Sequence, residues 1–370
     1  MSQIPDRLIT YCTNIHPGET WEETFAALKA HVPAIRAALS PGRPFPVGLR
    51  LSNRAAVDLT PDRLSAFADW LAEEGCFVPT INGFPFGAFH GGRIKEGVYL
   101  PDWRSPERAA YTIRLADLLA ALLPAGSAGS ISTVPLAFRK GAGTSDLPMI
   151  RKQLKSVLTH LSGIADRQGK DIQLALEPEP GCLLETTDEV CRFFDSIAFS
   201  PRLRRHLALC YDCCHQAVGF EEPSASLRRL AEAEVPLAKV QVSSALRLNG
   251  SDAPLLKRFD EPCYLHQVVV RGGDGRLSRY ADIGEALAGH GARREDEWRC
   301  HFHLPIHLAG SGLLGTTQGF LADILPLIGP DLLLEVETYT WSVLPDFLHD
   351  ESATGSIIRE LSWLKAQLHA

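Results

Sequence analysis

Three stretches of the chain alternate between apolar residues and other residues, and each ends in an acidic residue. LALCYDCCH places Asp212 at its end, DIQLALEPEPG places Glu177 there, and LLLEVETYTW places Glu335 there. Alternation with a period of two predicts strands whose two faces meet different surroundings. The pattern therefore predicts three strands that each present a carboxylate on the inner face near the carboxyl end.

Predicted strands and helices alternate along the whole chain. Thr20 with Glu23 has the spacing of a capping box, and Thr60 followed by Pro61 is typical of a helix start. The other predicted strands are 8–16, 47–52, 76–82, 130–135 and 238–244. Strand-then-helix units in series predict a parallel sheet with right-handed crossovers, and about eight of them close a barrel. We predict an α/β fold, a (β/α)8 TIM barrel formed by one domain over 1–370.

One segment does not fit this count. Residues 245–315 lie between the seventh strand and its helix, which places them at the C-terminal face, where active sites of such barrels sit. They contain HFHLPIH, whose alternation puts His301, His303 and His307 on one face of a strand. We interpret the segment as a long inserted lid after strand 7. The alternative is that HFHLPIH is itself the seventh barrel strand.

Composition and charge limit the class of protein. The chain is 45% hydrophobic and 22% charged, as soluble globular proteins are, and its net charge of −7 argues against nucleic-acid partners. The most apolar helix-like run, 115–123, is shorter than the roughly 20 residues of a membrane span, and the start does not resemble a signal peptide. Nine cysteines, an odd number, suggest reduced thiols. We expect a cytoplasmic protein without membrane insertion, and its oligomeric state stays open.

Three inward carboxylates at matching strand ends call for a compensating charge, because burying an unpaired carboxylate is costly. A divalent metal ion would supply that charge, and a salt-bridged polar layer using Arg50 or Arg247 is the alternative. Gln241, on the inner face of the seventh strand, offers a carbonyl oxygen that suits a hard cation. The predicted metal ligands are Glu177, Asp212, Gln241, Glu335 and, from the inserted segment, His303.

Further polar residues lie at predicted strand ends or in the inserted segment. His215 follows Asp212 by three residues, where it can bind metal, hydrogen-bond a substrate hydroxyl, or merely cap and pack. Histidines on one strand face are unusual for packing. The residues predicted to contact a substrate are His16, Asn82, His215, His266, His301 and Arg247.

These motifs resemble those of the xylose isomerase-like TIM barrels, which include sugar isomerases and epimerases and the apurinic endonuclease IV group. The matching positions are Glu177, Asp212, His215 and Glu335. The superfamily most often has a histidine ligand on strand seven, where this chain has Gln241, so either Gln241 or a lid histidine (His266 or His303) completes the metal shell. More narrowly, YCTNIHPGETW, LEPEPGC, YLHQVV, HFHLPIH and LEVETYTW resemble the EboE family of metabolite traffic proteins, a name that implies no reaction.

The resemblance implies a metal-dependent isomerase or epimerase of a polyhydroxylated small molecule in secondary-metabolite biosynthesis or traffic. The substrate would be a sugar, a sugar phosphate or a cyclitol, and the ion would be Mn, Mg, Co or Zn. Glu177 and Glu335 would remove and return a proton beside a carbonyl that the metal polarises. Two alternatives remain: a phosphoester hydrolase of the endonuclease IV type, and a non-catalytic barrel that binds or carries a metabolite.

Overall fold

One parallel sheet forms the centre of the protein. The structure, a computed structural model, describes residues 7–124, 126–349 and 351–369. The strands of the sheet are β1 (Ile9–Tyr11), β2 (Phe45–Arg50), β3 (Cys76–Asn82), β4 (Ala128–Thr133), β5 (Asp171–Leu176), β6 (Leu207–Asp212), β7 (Leu237–Val242) and β14 (Leu333–Val336). Their order is β1-β14-β7-β6-β5-β4-β3-β2, with every paired neighbour parallel. The predicted (β/α)8 barrel is confirmed.

Helices follow most of these strands and cover the outside of the sheet. They are α1 (Trp21–Leu39), α2 (Asn53–Asp58), α3 (Pro61–Glu73), α4 (Pro106–Leu122), α5 (Leu147–Gln168), α6 (Thr187–Asp195), α7 (Pro201–Arg204), α8 (Cys213–Val218), α9 (Pro223–Glu232), α10 (Ile283–Gly289), α11 (Gln318–Ile324) and α12 (Ala353–His369). The predicted capping box of Thr20 and Glu23 begins α1. Within the described part of the chain, no helix combines the length and hydrophobicity that crossing a bilayer requires.

The barrel closes between β1 and β2 with little backbone pairing. A single parallel bridge joins Cys12 to Gly48. The Thr10 hydroxyl supplies two further links, since it donates to the Pro46 carbonyl at 2.7 Å and accepts from the Gly48 amide at 3.0 Å. A side chain therefore replaces part of the missing ladder at this seam.

A second, antiparallel sheet follows β7 and precedes α11. Its strands are β8 (Ser244–Asn249), β9 (Val268–Arg271), β10 (Leu277–Tyr280), β11 (Glu297–Leu304), β12 (Gly310–Ser311) and β13 (Leu314–Thr316). Their order is β10-β9-β11-β8-β13-β12. β11 contains His301 and His303 and ends before His307, while β7 holds the seventh barrel position, so the alternative in which HFHLPIH is a barrel strand is wrong. That this segment acts as a lid stays a prediction.

We predict that Gly48→Ala destabilises the barrel at its seam. A Cβ atom at position 48 would overlap the Glu335 carboxylate and lie 2.7 Å from the Tyr11 carbonyl oxygen, and backbone cannot move aside cheaply. Overpacking of this kind costs about 1–3 kcal/mol. Urea unfolding measures the loss. Gly129→Ala in β4 is the control, because its Cβ would meet only leucine methyl groups that can rotate; an equal loss in both variants would contradict the account.

Candidate metal centre

Three carboxylates meet at the C-terminal end of the barrel. Glu177 directly follows β5, Asp212 ends β6, and Glu337 directly follows β14. One oxygen of each lies within 4.8 Å of the others, and each residue is at most 3% exposed. Parallel strands bring their carboxyl ends to one edge, which explains why residues distant in sequence converge here.

Two oxygens of this cluster have no partner among the residues that the structure describes. Glu177 Oε2 and Asp212 Oδ2 are buried and accept no hydrogen bond. Glu337 accepts hydrogen bonds from neutral donors. Asn14 Nδ2 donates to Glu337 Oε1 at 2.7 Å, and Asn82 Nδ2 donates to the same oxygen at 3.1 Å. A set of carboxylate oxygens with orphaned lone pairs fits a hard divalent cation.

Burial perturbs the proton affinity of all three groups. It raises the pKa of Glu177 well above its usual range, and the neighbouring Asp212 raises it further. Burial also raises the pKa of Glu337 well above its usual range, with Glu177 adding to the effect. Burial favours the neutral form of Asp212 too, but His215, His303 and bonds from the His215 amide and Ser243 hydroxyl outweigh it and lower the pKa. Burial and mutual repulsion therefore disfavour charge on Glu177 and Glu337 unless a cation compensates it.

Glu335, predicted as a metal ligand and as a catalytic group, lies outside this carboxylate cluster. Its Oε2 pairs with Lys239 Nζ at 2.5 Å, and both side chains are fully buried. Gln241 pairs in register with Glu335, and its carbonyl oxygen accepts from the Cys210 thiol at 3.1 Å. Neither residue belongs to the group of converging carboxylates. Glu337 occupies the position predicted for Glu335.

Arg50 and Arg247 do not form the salt-bridged polar layer that was the alternative to a metal ion. The Arg50 guanidinium pairs with Glu19 at 3.2 Å and donates to the carbonyls of Gly18 and Gly87. Arg247 lies on β8 and is exposed. Neither guanidinium neutralises the carboxylate cluster.

Three histidines adjoin the cluster on the side of Asp212. His215 lies in α8, and His301 and His303 lie on β11. Ligand atoms of His215 and His303 lie within 4.8 Å of an Asp212 oxygen. Burial lowers the pKa of His303 to about 4 and, reinforced by His215, lowers the pKa of His301 well below its usual range. Burial therefore favours the neutral imidazole at His301 and His303.

A cavity lies over this end of the barrel. The predicted substrate contacts Asn82, His215 and His301 line it, together with Glu177 and Glu337. Aromatic side chains form much of the wall, namely Phe84, Phe89, Tyr99, Tyr264 and Tyr339. Sequence reasoning missed Glu337, Glu179 and these rings, although LEPEPG and LEVET already place the two glutamates beside predicted strand ends.

Three of the predicted substrate contacts do not line this cavity. His16 bonds to the Tyr11 hydroxyl at 3.1 Å and stacks on His31. His266 contacts the His301 carbonyl at 2.9 Å and Glu261 Oε1 at 3.0 Å. Arg247, as noted, faces solvent. These three side chains therefore lie outside the cavity in which a substrate would meet the carboxylates.

Comparison with solved structures shows the class of fold. A xylose isomerase domain protein from Planctomyces limnophilus aligns with a TM-score of 0.52 at 14% identity, over 98% of this chain and 96% of that one. An L-ribulose 3-epimerase aligns with a TM-score of 0.51 at 15% identity, over 100% and 95%.

An IolI protein with a binding zinc atom gives a TM-score of 0.50 at 14% identity, over 98% and 97%. The chain therefore has the fold of the xylose isomerase-like TIM barrel proteins. Neither protein-family profiles nor curated protein sequences give a match.

We predict that Lys239→Met strongly destabilises the protein. The substitution leaves Glu335 buried without a cation, and breaking a buried ion pair in this way costs about 3–5 kcal/mol. Thermal and urea unfolding measure the loss. The double variant Lys239→Met/Glu335→Leu removes both charges and recovers most of the stability. A single variant as stable as the wild type would show that Glu335 has another counter-charge.

Proposed function

We propose that the protein is a metal-dependent isomerase or epimerase of a small polyhydroxylated molecule. The observation that carries the proposal is the convergence of Glu177, Asp212 and Glu337 beneath one cavity. These three residues would hold a divalent ion, and one oxygen each of Glu177 and Asp212 otherwise lacks a partner among the described residues. When bound, such an ion polarises a substrate carbonyl and acidifies the adjacent C–H. The fold, shared with an L-ribulose 3-epimerase, is consistent with this chemistry.

Glu177 and Glu337 are the proposed acid and base. They follow β5 and β14, strands that lie on either side of β6 and β7 in the barrel, so they reach the cavity from two sides. Each carboxylate would exchange protons through the oxygen that the ion does not hold. Asn14 and Asn82 both donate to Glu337 Oε1, which fixes the orientation of that carboxylate. A proton removed by one glutamate can then be returned by the other.

The cavity also restricts the substrate. Aromatic walls above a polar floor suit a ring or short chain with one apolar face and several hydroxyl groups. His215 and His301 would hydrogen-bond those hydroxyls. Lys95, the lysine that lines the cavity, is paired with Asp282 at 2.7 Å, which favours an unphosphorylated sugar or cyclitol over a sugar phosphate. The resemblance of several motifs to those of EboE proteins would extend the proposal to secondary-metabolite biosynthesis or traffic.

Phosphoester hydrolysis is a second candidate, and the adjoining histidines favour it. Three imidazoles beside three carboxylates could hold more than one ion, as metal-dependent hydrolysis of phosphoesters often requires. Release of nitrophenolate from bis(4-nitrophenyl) phosphate, without exchange of substrate hydrogens, would favour this reaction over isomerisation.

Solvent exchange tests the main proposal. The Mn²⁺-loaded protein is incubated in D₂O with a panel of ketoses, aldoses and inososes, and NMR follows deuterium at the carbon beside the carbonyl. We expect exchange with at least one compound, and a loss of about 10²-fold or more in Glu177→Gln and Glu337→Gln.

Glu335→Gln is the matched control, because it makes the same change two residues earlier on the same strand face. Its amide oxygen still accepts from Lys239, so the folded variant retains exchange. The reverse result, with Glu335→Gln inactive and Glu337→Gln active, would return the role to Glu335. Ligand-dependent thermal shifts without any exchange would identify a carrier instead.

A further inference from the structure

A buried glutamate interrupts the apolar face of the last helix. Helix α12 buries Ile357, Leu361 and Leu364, and Glu360 lies fully buried on the same face. The groups that donate to its carboxyl group are one backbone amide and two hydroxyls, all of them neutral. Burying a carboxyl group is costly where an apolar side chain would pack without that cost. The contacts of Glu360 must therefore offset its burial.

One oxygen of Glu360 joins two segments at the C-terminal end of the barrel. The Ile306 amide donates to Oε2 at 3.0 Å, and the Thr338 hydroxyl donates to the same atom at 2.7 Å. Ile306 lies two residues beyond β11 of the inserted sheet, and Thr338 lies two residues beyond β14 of the barrel. The other oxygen, Oε1, faces the Ser356 hydroxyl of α12 itself at 3.5 Å. We call the contact of Glu360 with Ile306 and Thr338 the Glu360 clamp.

The barrel segment in this clamp carries Glu337. Glu337 directly precedes Thr338, and its amide donates to the Val242 carbonyl at 3.3 Å, a long bond at the point where the chain leaves β14. The carbonyl of Glu337 in turn contacts His303 Nδ1 on β11 at 2.9 Å. The clamp therefore holds together the same two segments that meet at the main chain of Glu337.

We propose that Glu360 is a positioning residue of the metal centre, which holds Glu337 in place for the ion through Thr338. The inference rests on the proposed binding of a divalent ion by Glu177, Asp212 and Glu337. Glu360 does not line the cavity, so it acts on the ion only through the segment that it holds. Loss of a group that orients a metal ligand typically weakens metal binding about 10–100-fold.

The clamp does not depend on the charge of Glu360. Burial raises the pKa of Glu360 to about 7, while the hydrogen bonds from Thr338 and Ile306 oppose that shift. Oε2 can accept both bonds when the proton lies on Oε1, so the neutral and the charged carboxyl group make the same contacts. In Glu360→Gln the amide oxygen can likewise accept both bonds, and the amide nitrogen can donate to the Ser356 hydroxyl.

Mn²⁺ binding to the full chain, followed by the electron paramagnetic resonance of the free ion, tests the role of Thr338. Thr338→Val removes the hydroxyl at almost constant volume, and we expect its Kd for Mn²⁺ to rise about tenfold or more. Thr338→Ser keeps the hydroxyl and binds as the wild type does. Ser356→Ala is the matched control: it removes a hydroxyl that contacts the same carboxyl group, but from within α12, and leaves the Kd unchanged.

Variants of Glu360 test whether Thr338 acts through it. Glu360→Leu weakens Mn²⁺ binding as Thr338→Val does, whereas Glu360→Gln binds as the wild type does. Because a clamp fails when either end is removed, the double variant Thr338→Val/Glu360→Leu binds no more weakly than the weaker single variant. Losses that multiply in the double variant would show two independent effects and overturn the proposal.

Hydrogen exchange of the wild type provides a readout that needs no variant. By thermodynamic linkage, a clamp that strengthens ion binding is stabilised by the ion to the same degree. We therefore expect Mn²⁺ to slow exchange of the Ile306 amide about tenfold, and more than it slows the amides of α9 on the outside of the barrel. An Ile306 amide that exchanges equally fast with and without bound Mn²⁺ overturns the positioning role even if every variant fails to fold.

Failure of this inference is distinct from failure of the proposed function. Thr338→Val and Glu360→Leu proteins that bind Mn²⁺ as tightly as the wild type overturn the positioning role and leave the metal centre intact. A wild-type protein that binds no Mn²⁺ overturns the metal centre, and the positioning role falls with it.

Discussion

The burial of Glu177, Asp212 and Glu337 around one point is the constraint on which the rest of the site depends. Taking one carboxylate out of water is expensive, and taking three to within 4.8 Å of one another adds their mutual repulsion. The neighbouring amides of Asn14 and Asn82 and the hydroxyl of Ser243 lower that cost without cancelling the charge. Either protons or a cation must do so, and the orphaned oxygens favour a cation.

The barrel makes this arrangement rigid. Because the strands are parallel, the carboxyl ends of β5, β6 and β14 meet at a common edge of the barrel. The pair of Lys239 and Glu335 is fully buried in the barrel interior. That pair distinguishes the two glutamates of LEVET: Glu335 has a lysine as its counter-charge through Oε2, whereas Glu337 accepts only from neutral donors. The antiparallel sheet inserted after β7 then adds His301 and His303 to the open side of Asp212. Residues from two sheets therefore contribute to one polar centre.

Much of this follows from the sequence, and the exceptions have physical causes. Alternation ending in Asp212 and Glu177 predicted both strand ends, and the count of strand-helix units predicted the barrel. Glu335 and Glu337 share a strand face, so period-two alternation cannot decide which one reaches the rim; only the register of β14 against β7 does. Local alternation could not predict the pairing of Lys239 with Glu335 either, because the two residues lie far apart in sequence. The pairing among His215, His301 and His303 depends on how the inserted sheet packs, which no local pattern encodes.

The most direct measurement is an anomalous-scattering map of crystals grown with Mn²⁺. The account predicts a peak enclosed by oxygens of Glu177, Asp212 and Glu337, with Glu335 still bonded to Lys239. A map without a peak there, in which the three carboxyl groups instead share protons in hydrogen bonds to one another, would contradict it.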